Sequence, residues 1–262
     1  MDFEDTGQDH TWLTSINEAR GPVLAPVEWA TAVRLRQGCR FMAQERACAG
    51  CGSSVSPTDA SHALLCAPAD STRGHNELRD ELAAILRSVD PGTETEVQGL
   101  VPSAPSLRPA DILTRAAHST LDTAIDVTIK APHACGAGGD CVDAGRREKM
   151  TKYGPILPEL RQQGIRYVPV AVSCFGRRGQ DLDAVLRAAA VKFVRQAGSV
   201  DHKRLQRKWE QRLSVVVWRR AARMVHRCLW QEQDPWDVVA AVHDAADHSR
   251  PGWLQEGGGS AG

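Results

Sequence analysis

The chain has 262 residues, enough for one good core and a small additional module, and its 32 Lys and Arg balance its 32 Asp and Glu. This neutral total gives by itself no reason to expect a polyanionic partner. Eight cysteines, without a signal segment at the start, favour an intracellular, reducing compartment over a disulfide framework. No apolar run approaches the roughly 20 residues that span a bilayer, which excludes a membrane protein.

Charge is distributed unevenly along the chain. Residues 1–30 contain six acids and one Arg, and the first ten residues lack an apolar pattern and are expected to be mobile. Residues 203–227 contain nine Lys or Arg and one Glu, which predicts a basic face of the kind that meets phosphates. An ordinary surface helix, docked by its apolar stripe, is the alternative for this stretch.

The first periodic segment is residues 25–36. Pro26 suits the first turn of a helix, since its missing N–H needs no partner there. Trp29, Val33 and, less strictly, Leu35 are spaced to form the buried side. This segment is expected to serve packing.

A cysteine pair, Cys48-Ala49-Gly50-Cys51, is followed by His62 and then, four positions later, by Cys66. The short gap lets both thiolates face one tetrahedral ion, and the His-x3-Cys step returns two further ligands. Residues 46–71 contain few large apolar side chains and need a bound metal ion to hold their fold. The pattern predicts a zinc knuckle; the alternative is four ordinary side chains, with Cys39 as a possible substitute ligand.

The middle of the chain alternates helix and strand patterns. Residues 75–89 predict an amphipathic helix, 93–101 a strand, and 109–117 and 121–131 an antiparallel hairpin. The glycine-rich loop 132–145, with Cys135 and Cys141, is expected to be a mobile insertion rather than a second metal site. Further predicted elements are helices at 146–153 and 156–163, a strand at 167–175, a helix capped by Asp181 and ended by Gly198, a basic helix at 201–230, a short helix at 236–246 and a flexible tail from 257.

This order predicts an α/β fold with a mixed-sheet core, a small zinc knuckle before it and helices after it. The expected domains are an acidic leader and helical connector (1–46), the zinc knuckle (47–72), the core (73–180), C-terminal helices with a basic face (181–230), and a short helix with a flexible tail (231–262).

Two acids, Asp111 and Asp126, interrupt apolar strand patterns. Burying an unpaired carboxylate is costly, so satisfied buried acids are one explanation. The other is a Mg²⁺ or Mn²⁺ site for phosphodiester hydrolysis, since two acids from a hairpin can converge on one ion. A lysine would stabilise the charge on the phosphate; Lys149 and Lys152 share a helix face, and Lys130 is the strand alternative.

From Val23 to Gly176 these motifs resemble, in order, those of the PD-(D/E)xK restriction-enzyme-like endonucleases found at the C-terminal end of certain non-LTR retrotransposon proteins. Segment 25–36 resembles the connector that follows the polymerase, the cysteine and histidine pattern resembles the family's CCHC zinc knuckle, and Arg73-Gly74-His75-Asn76 resembles its Arg-His-Asn step. The departures are Gly74, Ala110 before the first acid, and the long loop 132–145.

The resemblance implies a metal-dependent DNA endonuclease that nicks target DNA to expose a 3′-hydroxyl primer. The residues it assigns are Asp111 and Asp126 for Mg²⁺ or Mn²⁺, Lys149 or Lys152 for the phosphate, His75 and Asn76 as supports, and Cys48, Cys51, His62 and Cys66 for Zn²⁺. The implied partners are DNA and the RNA of the parent element, in the nucleus; the oligomeric state stays open.

Two other interpretations remain from the sequence. No Tyr-x-Asp-Asp polymerase motif occurs in the chain, so a detached C-terminal fragment or a degenerate copy is expected. A degenerate copy would be a catalytically inactive nucleic-acid-binding remnant that keeps the knuckle and the basic helix. A third interpretation is an intact fold with neither activity.

Overall fold

The computed structural model describes Leu13 and residues 23–42, 44–57, 61–66, 68–131, 140–198 and 201–230. The acidic first ten residues, most of loop 132–145, the short helix predicted at 236–246 and the predicted tail lie outside the described residues. The chain forms two compact units: the sheet unit comprises Met1–Val23 and Pro68–Arg220, and the knuckle unit comprises Leu24–Ala67 and Ala221–Gly262. In the described part, no helix is long and apolar enough to cross a bilayer.

The elements follow the predicted alternation of helices and strands. In chain order they are α1 (Pro26–Gln37), β1 (Arg46–Ala47), β2 (Ser54–Val55), α2 (Ser61–Cys66), α3 (Pro68–Arg87), β3 (Glu94–Val97), β4 (Ala110–Thr114), β5 (Asp122–Lys130), α4 (Cys141–Tyr153), a 3-10 turn (Gly154–Ile156), α5 (Leu157–Gln162), β6 (Ile165–Ser173), α6 (Gln180–Ala197) and α7 (His202–Trp230).

A mixed four-stranded sheet organises the sheet unit, and the predicted α/β class is confirmed. The strands lie in the order β3-β4-β5-β6. β3, β4 and β5 are antiparallel neighbours, and β6 is parallel to β5. A parallel pair needs a crossover connection, which α4 and α5 supply. The predicted hairpin of the two acid-bearing strands is β4 with β5.

The two faces of this sheet have different cores, because side chains alternate along each strand. Ile112 and Ile125 belong to the larger core, which includes residues of α3, α6 and α7. Ala124 belongs to the smaller core on the other face, with Tyr153 of α4 and Leu160 of α5. Asp126 shares the parity of Ala124, so its side chain belongs to the α4 face.

α3 is amphipathic as predicted, since Leu78, Leu82 and Ile85, together with Val89 just after its last residue, are at most 3% exposed. The helix begins at Pro68 rather than at residue 75, because a proline is favoured in a first turn and the apolar pattern need not extend to the helix start. The strand predicted at 93–101 is shorter, Glu94–Val97. Gly99 follows it with φ 73°, an angle that extended backbone does not adopt.

Two helix starts differ from the prediction. α4 begins five residues before Arg146, because the Asp140 carboxylate accepts from the amides two and three residues later, at 2.8 and 3.2 Å. Cys141 is therefore buried in α4 rather than part of a mobile insertion. Gly179, not Asp181, is the N-cap of α6. The Asp181 carboxylate instead accepts from Arg146 Nε at 2.6 Å.

α1 buries only part of the predicted side: Leu35 is 3% exposed, as predicted, and Val33 is half-buried. Trp29 is 40% exposed, whereas Glu28 and Thr31 are buried. Within the knuckle unit, Arg223 Nε donates to Glu28 at 3.0 Å and Thr31 Oγ1 lies 2.7 Å from His226 Nε2. Polar partners on the end of α7 thus decide which side of α1 is buried, and apolar spacing could not show this.

α7 confirms the predicted long helix and most of its stripe. The buried members are Trp209, Leu213, Val216, Val217, Met224 and Cys228. Its cations include some that bind the protein itself: within the sheet unit, Arg212 Nε donates to Glu81 and Arg219 Nη2 donates to the carbonyl of Val23, at 2.5 and 2.6 Å. These contacts favour the interpretation of α7 as a docked surface helix over one in which all of its cations bind phosphates.

Candidate functional site

Asp111 and Asp126 face each other across the hairpin of β4 and β5. Ile112 pairs with Ile125, and continuing this register by one residue places Asp111 opposite Asp126. Directly opposed side chains have Cβ atoms roughly 4.5–5.5 Å apart, so the carboxylates are close neighbours. Two like charges at such a distance repel, and the site needs cationic or hydrogen-bonding partners to hold them.

Asp126 is 2% exposed and has two such partners. Lys149 Nζ, on α4, donates to its Oδ1 at 2.8 Å, and the Tyr167 hydroxyl, on β6, donates to its Oδ2 at 2.9 Å. Burial raises the pKa of Asp126, and the negative charge of Asp111 adds to that effect, although Lys149 opposes it. Burial also raises the pKa of Tyr167, so its hydroxyl keeps the proton that it donates.

Asp111 is less buried and is held by different donors. The amide of Val127 donates to Oδ2 at 2.7 Å, and His75 Nε2 lies 3.4 Å from Oδ1. Burial opposes ionisation here too, but the contacts with His75 and Val127 outweigh it and lower the pKa of Asp111. The two acids therefore differ: Asp111 favours its charged form and Asp126 resists it.

The structure separates the three candidate lysines. Lys149 donates directly to Asp126. Lys152 Nζ instead lies 4.7 Å from the centre of the Tyr153 ring, and Lys130 pairs with the Glu148 carboxylate. Helix α4 therefore supplies the lysine at the acids, Lys149, whereas the strand candidate Lys130 has a different partner.

Gly145 lets α4 lie close to the sheet, one turn before Lys149. A Cβ added to it would be 2.9 Å from Lys130 Cγ and 3.2 Å from Thr128 Cγ2, both on β5. Contacts this short require a neighbour or the helix to move. The absence of a side chain at Gly145 therefore helps to place the Lys149 ammonium against Asp126.

The two residues predicted as supports lie next to each other on α3. His75 contacts Asp111, as given above, and its side chain is 28% exposed. Asn76 is half-buried beside it in sequence. The structure therefore brings His75 to the acids and gives no role to Asn76.

Glu96 lies on β3, beside the acid-bearing strand β4, but its carboxylate binds arginines. Thr95 pairs with Ile112 and Val97 with Ala110, which places Glu96 opposite Asp111. Its φ is 57°, in the left-handed region that glycine favours. Its carboxylate pairs with the guanidinium of Arg79 and lies 3.8 Å from that of Arg108.

The acid pair has the donor chemistry for Mg²⁺. In the described part of the chain, Asp111 and Asp126 are not joined by another Asp, Glu, His or Cys in a compact group of three. Mg²⁺ is ordinarily held by one or two carboxylates with waters and phosphate oxygens, and a carboxylate oxygen that accepts one hydrogen bond keeps a second lone pair. A metal at this pair thus belongs to the proposal below.

The four residues of the predicted knuckle do come together, and this cluster can bind zinc. The ligand atoms of Cys48, Cys51, His62 and Cys66 lie within 4.8 Å of one another. Cys48 Sγ is 3.5 Å from Cys66 Sγ, and Cys51 Sγ is 3.3 Å from His62 Nε2. Around a tetrahedral Zn²⁺ these edges would be about 3.8 and 3.6 Å, so little movement is needed.

Local structure explains this arrangement. Cys48 follows β1, and the amide of Gly52 donates to its carbonyl at 2.8 Å, closing a turn that also carries Cys51. The φ of Gly52 is 76°, which suits glycine. His62 and Cys66 are one turn apart on α2, so their side chains share a face.

The electrostatics favour a metal-binding thiolate at Cys48. Burial opposes its ionisation, but hydrogen bonds from the Cys228 thiol and from the amides of Cys51 and Gly50 lower its pKa to about 7. A thiolate is the form that binds a metal. At neutral pH this ligand is therefore close to its binding state before an ion arrives.

Two residues at these sites have no site role predicted from the sequence. Tyr167 bonds to Asp126 across the parallel strand pair, and Cys228 Sγ lies 3.3 Å from Cys48 Sγ. Tyr167 could have been noticed as a hydroxyl-bearing residue in an apolar strand. Nothing local links Cys228 to the knuckle. Cys39, the predicted substitute, instead contacts Gln37 Oε1 at 3.6 Å.

Comparisons of the chain with protein-family models, with curated proteins and with solved structures find no match in any of the three. No relative therefore supplies a function for the acid pair or for the cysteine and histidine cluster. What these sites do has to be argued from their geometry and chemistry.

Proposed function

We propose that the chain is a metal-dependent endonuclease domain that hydrolyses phosphodiester bonds and nicks DNA. One observation carries the proposal: Asp111, Asp126 and Lys149 converge from two strands and a helix, with Asp126 almost fully buried. A buried acid opposite a second acid costs stability, and such perturbed groups concentrate at functional sites. The combination of two acids and a lysine suits the charges of a phosphodiester and its metal ion.

Asp111 and Asp126 would hold Mg²⁺ or Mn²⁺ between them. When bound there, the ion neutralises the scissile phosphate and lowers the pKa of an attacking water. The charged form of Asp111, favoured by Val127 and His75, is the form that binds a cation. Asp126 is kept in place by Tyr167, whose hydroxyl remains a donor.

Lys149 would stabilise the negative charge that develops on the phosphate. Its ammonium is already at the acid pair, 2.8 Å from Asp126 Oδ1, and its side chain is 17% exposed. A cation in a partly desolvated place stabilises a developing charge more than one in water does. His75 acts through Asp111 and is a positioning residue.

The resemblance of the chain's motifs to those of the PD-(D/E)xK endonucleases supports this proposal. The helix α3, the strands β3, β4 and β5, the helix α4 and the strand β6 follow one another in the predicted order. We propose that this core is restriction-endonuclease-like and derives from a retroelement. DNA is then the substrate, the element's RNA a second partner, and the nucleus the place of action.

The knuckle would serve the same activity by holding Zn²⁺ at Cys48, Cys51, His62 and Cys66. The hairpin of β1 and β2 has two residues in each strand and cannot hold its own fold. A zinc ion would stabilise the hairpin in a fixed conformation, in which it could contact the DNA duplex. Purified protein should then contain one zinc per chain under mild, chelator-free conditions.

Nicking of supercoiled plasmid in Mg²⁺ or Mn²⁺ tests the endonuclease. Asp111→Asn, Asp126→Asn and Lys149→Met should each lower the rate about 100-fold or more, the usual loss for a group that acts on the transition state. Lys152→Met should have a smaller effect, because Lys152 lies over the Tyr153 ring.

Asp122→Asn is the matched control. Asp122 lies on β5 with Asp126, but its carboxylate accepts from Arg115 Nε at 2.6 Å, away from the acid pair. This variant should keep full activity, with zinc content and circular dichroism unchanged in all variants. Activity that survives both Asp111→Asn and Asp126→Asn would refute the assignment.

A non-catalytic nucleic-acid-binding protein is the second candidate. Both oxygens of Asp126 already accept hydrogen bonds, and the described residues include no third ligand at the pair. That arrangement also suits a site that has lost its metal. Binding in gel shifts with steep salt dependence, without metal-dependent cleavage, would favour this candidate.

A further inference from the structure

Cys228 is a fifth thiol beside the predicted zinc ligands. It lies near the end of α7, in the knuckle unit, and is 3% exposed. Its Sγ is 3.3 Å from Cys48 Sγ, slightly less than the 3.5 Å between Cys48 and Cys66. The sequence separation of 180 residues kept it out of the motif.

The backbone holds Cys228 in this place. The amide of Ala49, inside the Cys-x2-Cys turn, donates to the carbonyl of Cys228 at 2.9 Å. Two contacts, one from the backbone and one from the side chain, thus fasten the end of α7 to the turn that carries Cys48 and Cys51. The thiol is directed at Cys48 rather than left in a general apolar core.

The distances from Cys48 Sγ to two other sulfurs are close to the separation of thiolates that share one ion. Two thiolates that share a tetrahedral Zn²⁺ have sulfurs about 3.8 Å apart. Cys48 has two sulfur neighbours at about this separation, Cys66 and Cys228. Cys228 is not part of the group of four residues whose ligand atoms lie within 4.8 Å of one another, so the ion would have to move towards the end of α7 for Cys228 to take the place of Cys51.

We propose that Cys228 is a reserve ligand of the zinc centre and replaces Cys51 when Cys51 is lost. This inference rests on the proposal that the knuckle holds zinc. With Cys51 bound, the Cys228 thiol donates to the Cys48 thiolate. When Cys51 leaves, Cys228 binds the ion as a thiolate and releases its proton to water, so one thiolate ligand replaces another.

Exposure explains why Cys51 is the replaceable ligand. Cys51 is exposed, whereas Cys48 and Cys228 are buried. An exposed thiolate is the one that an oxidant or alkylating agent reaches first. A buried replacement allows the centre to keep its metal after such damage.

Zinc content and affinity of the full-length protein test the reserve ligand. Cys51→Ala should still hold one zinc per chain, whereas Cys51→Ala with Cys228→Ala should bind it about 100-fold more weakly. Cys228→Ala alone should weaken zinc about 10-fold, as expected when a group that hydrogen-bonds to a ligand is removed. Cys51→Ala with Cys39→Ala is the matched control and should behave like Cys51→Ala, because Cys39 contacts Gln37 instead.

Cobalt substitution provides a spectroscopic readout that packing would not change. Sulfur-to-cobalt absorption reports the number of bound thiolates, so Cys51→Ala should keep the three-thiolate intensity of the wild type. Removing Cys228 as well should lower it to the two-thiolate level. Unchanged circular dichroism of the double variant would show that the loss is local.

The outcomes separate the two proposals. Zinc lost from Cys51→Ala as fully as from the double variant would overturn the reserve role while the wild-type metal centre stands. The reserve role would also be overturned if Cys51→Ala with Cys39→Ala bound zinc as weakly as Cys51→Ala with Cys228→Ala. Wild-type protein without zinc would overturn the centre itself, whatever the nicking assay shows.

Discussion

Replacing Lys149 by Met should destabilise the protein by about 3 kcal/mol at pH 7, because it leaves the Asp126 carboxylate without its cation. The side chain of Asp126 is 3% exposed and that of Lys149 is 17% exposed, so water replaces little of the lost interaction. Breaking a buried pair from one side costs roughly 3–5 kcal/mol. The lower end applies, since Tyr167 still donates to the other oxygen.

A double-mutant cycle separates the charge from the packing. Asp126→Asn removes the charge that burial disfavours but leaves the Lys149 ammonium without its anion, so at pH 7 it should cost less stability than Lys149→Met rather than none. The double variant, Asp126→Asn with Lys149→Met, should recover about 2 kcal/mol of the loss caused by Lys149→Met. Loss of activity in Asp126→Asn, with a smaller loss of stability than in Lys149→Met, would show that the acid is kept for function.

The pH dependence has a definite sign. The pKa of Asp126 is raised in the folded state, so the stabilisation from its protonation is present at low pH and is lost as pH rises through the raised pKa. Lys149→Met removes the cation that favours the charged form and raises this pKa further. The difference in free energy of unfolding between wild type and Lys149→Met should therefore become smaller as the pH falls from 7 to 5.

Urea unfolding, followed by tryptophan fluorescence, measures these differences in the sheet unit. Trp209 and Trp218 are buried in that unit. No Mg²⁺ or Mn²⁺ is added, because a bound cation would replace the missing lysine charge. Equal losses in Lys149→Met and in the double variant, at both pH values, would refute the reasoning.

Two further predictions concern other parts of the chain. Gly145→Val should lower the free energy of unfolding by about 1–3 kcal/mol, because even a Cβ there is 2.9 Å from Lys130 Cγ. It should also lower the nicking rate at least tenfold, with zinc retained. Gly154→Ala is the neutral control, since no atom lies within 4 Å of the added Cβ. Burial lowers the pKa of His226 to about 4, so the unfolded chain binds its proton first and stability falls as pH drops below about 6.5. Zinc-loaded wild type should lose more stability between pH 7 and pH 5 than zinc-loaded His226→Gln, by about 2 kcal/mol. Urea unfolding at the two pH values measures this difference, and equal losses in the two proteins would contradict the prediction.

Local spacing was sufficient to predict several features. The pattern of Cys48, Cys51, His62 and Cys66 predicted a cluster that the fold does assemble, because a two-residue turn and one helical turn fix the distances within each pair. The same holds for the stripe of α3, whose positions follow from 3.6 residues per turn. Apolar runs interrupted by acids identified the hairpin strands.

Polar partners distant in sequence overruled local patterns elsewhere. Trp29 has the spacing of a buried residue but is exposed, since Glu28 and Thr31 have partners on the end of α7. Asp181 has the chemistry of an N-cap but binds Arg146 instead. In both cases the deciding neighbour is far along the chain, and no window of sequence contains it.

The sequence by itself determined the α/β plan, the acids that interrupt its strands and the cysteine and histidine spacing, because these depend on the periods of helix and strand and on short turns. Only the tertiary structure decided that Asp111 stands opposite Asp126, that Lys149 rather than Lys130 or Lys152 reaches them, and that Cys228 lies beside Cys48. These contacts depend on strand register, on the close approach of α4 at Gly145 and on the docking of α7. Each is set by the packing of residues that no local spacing relates.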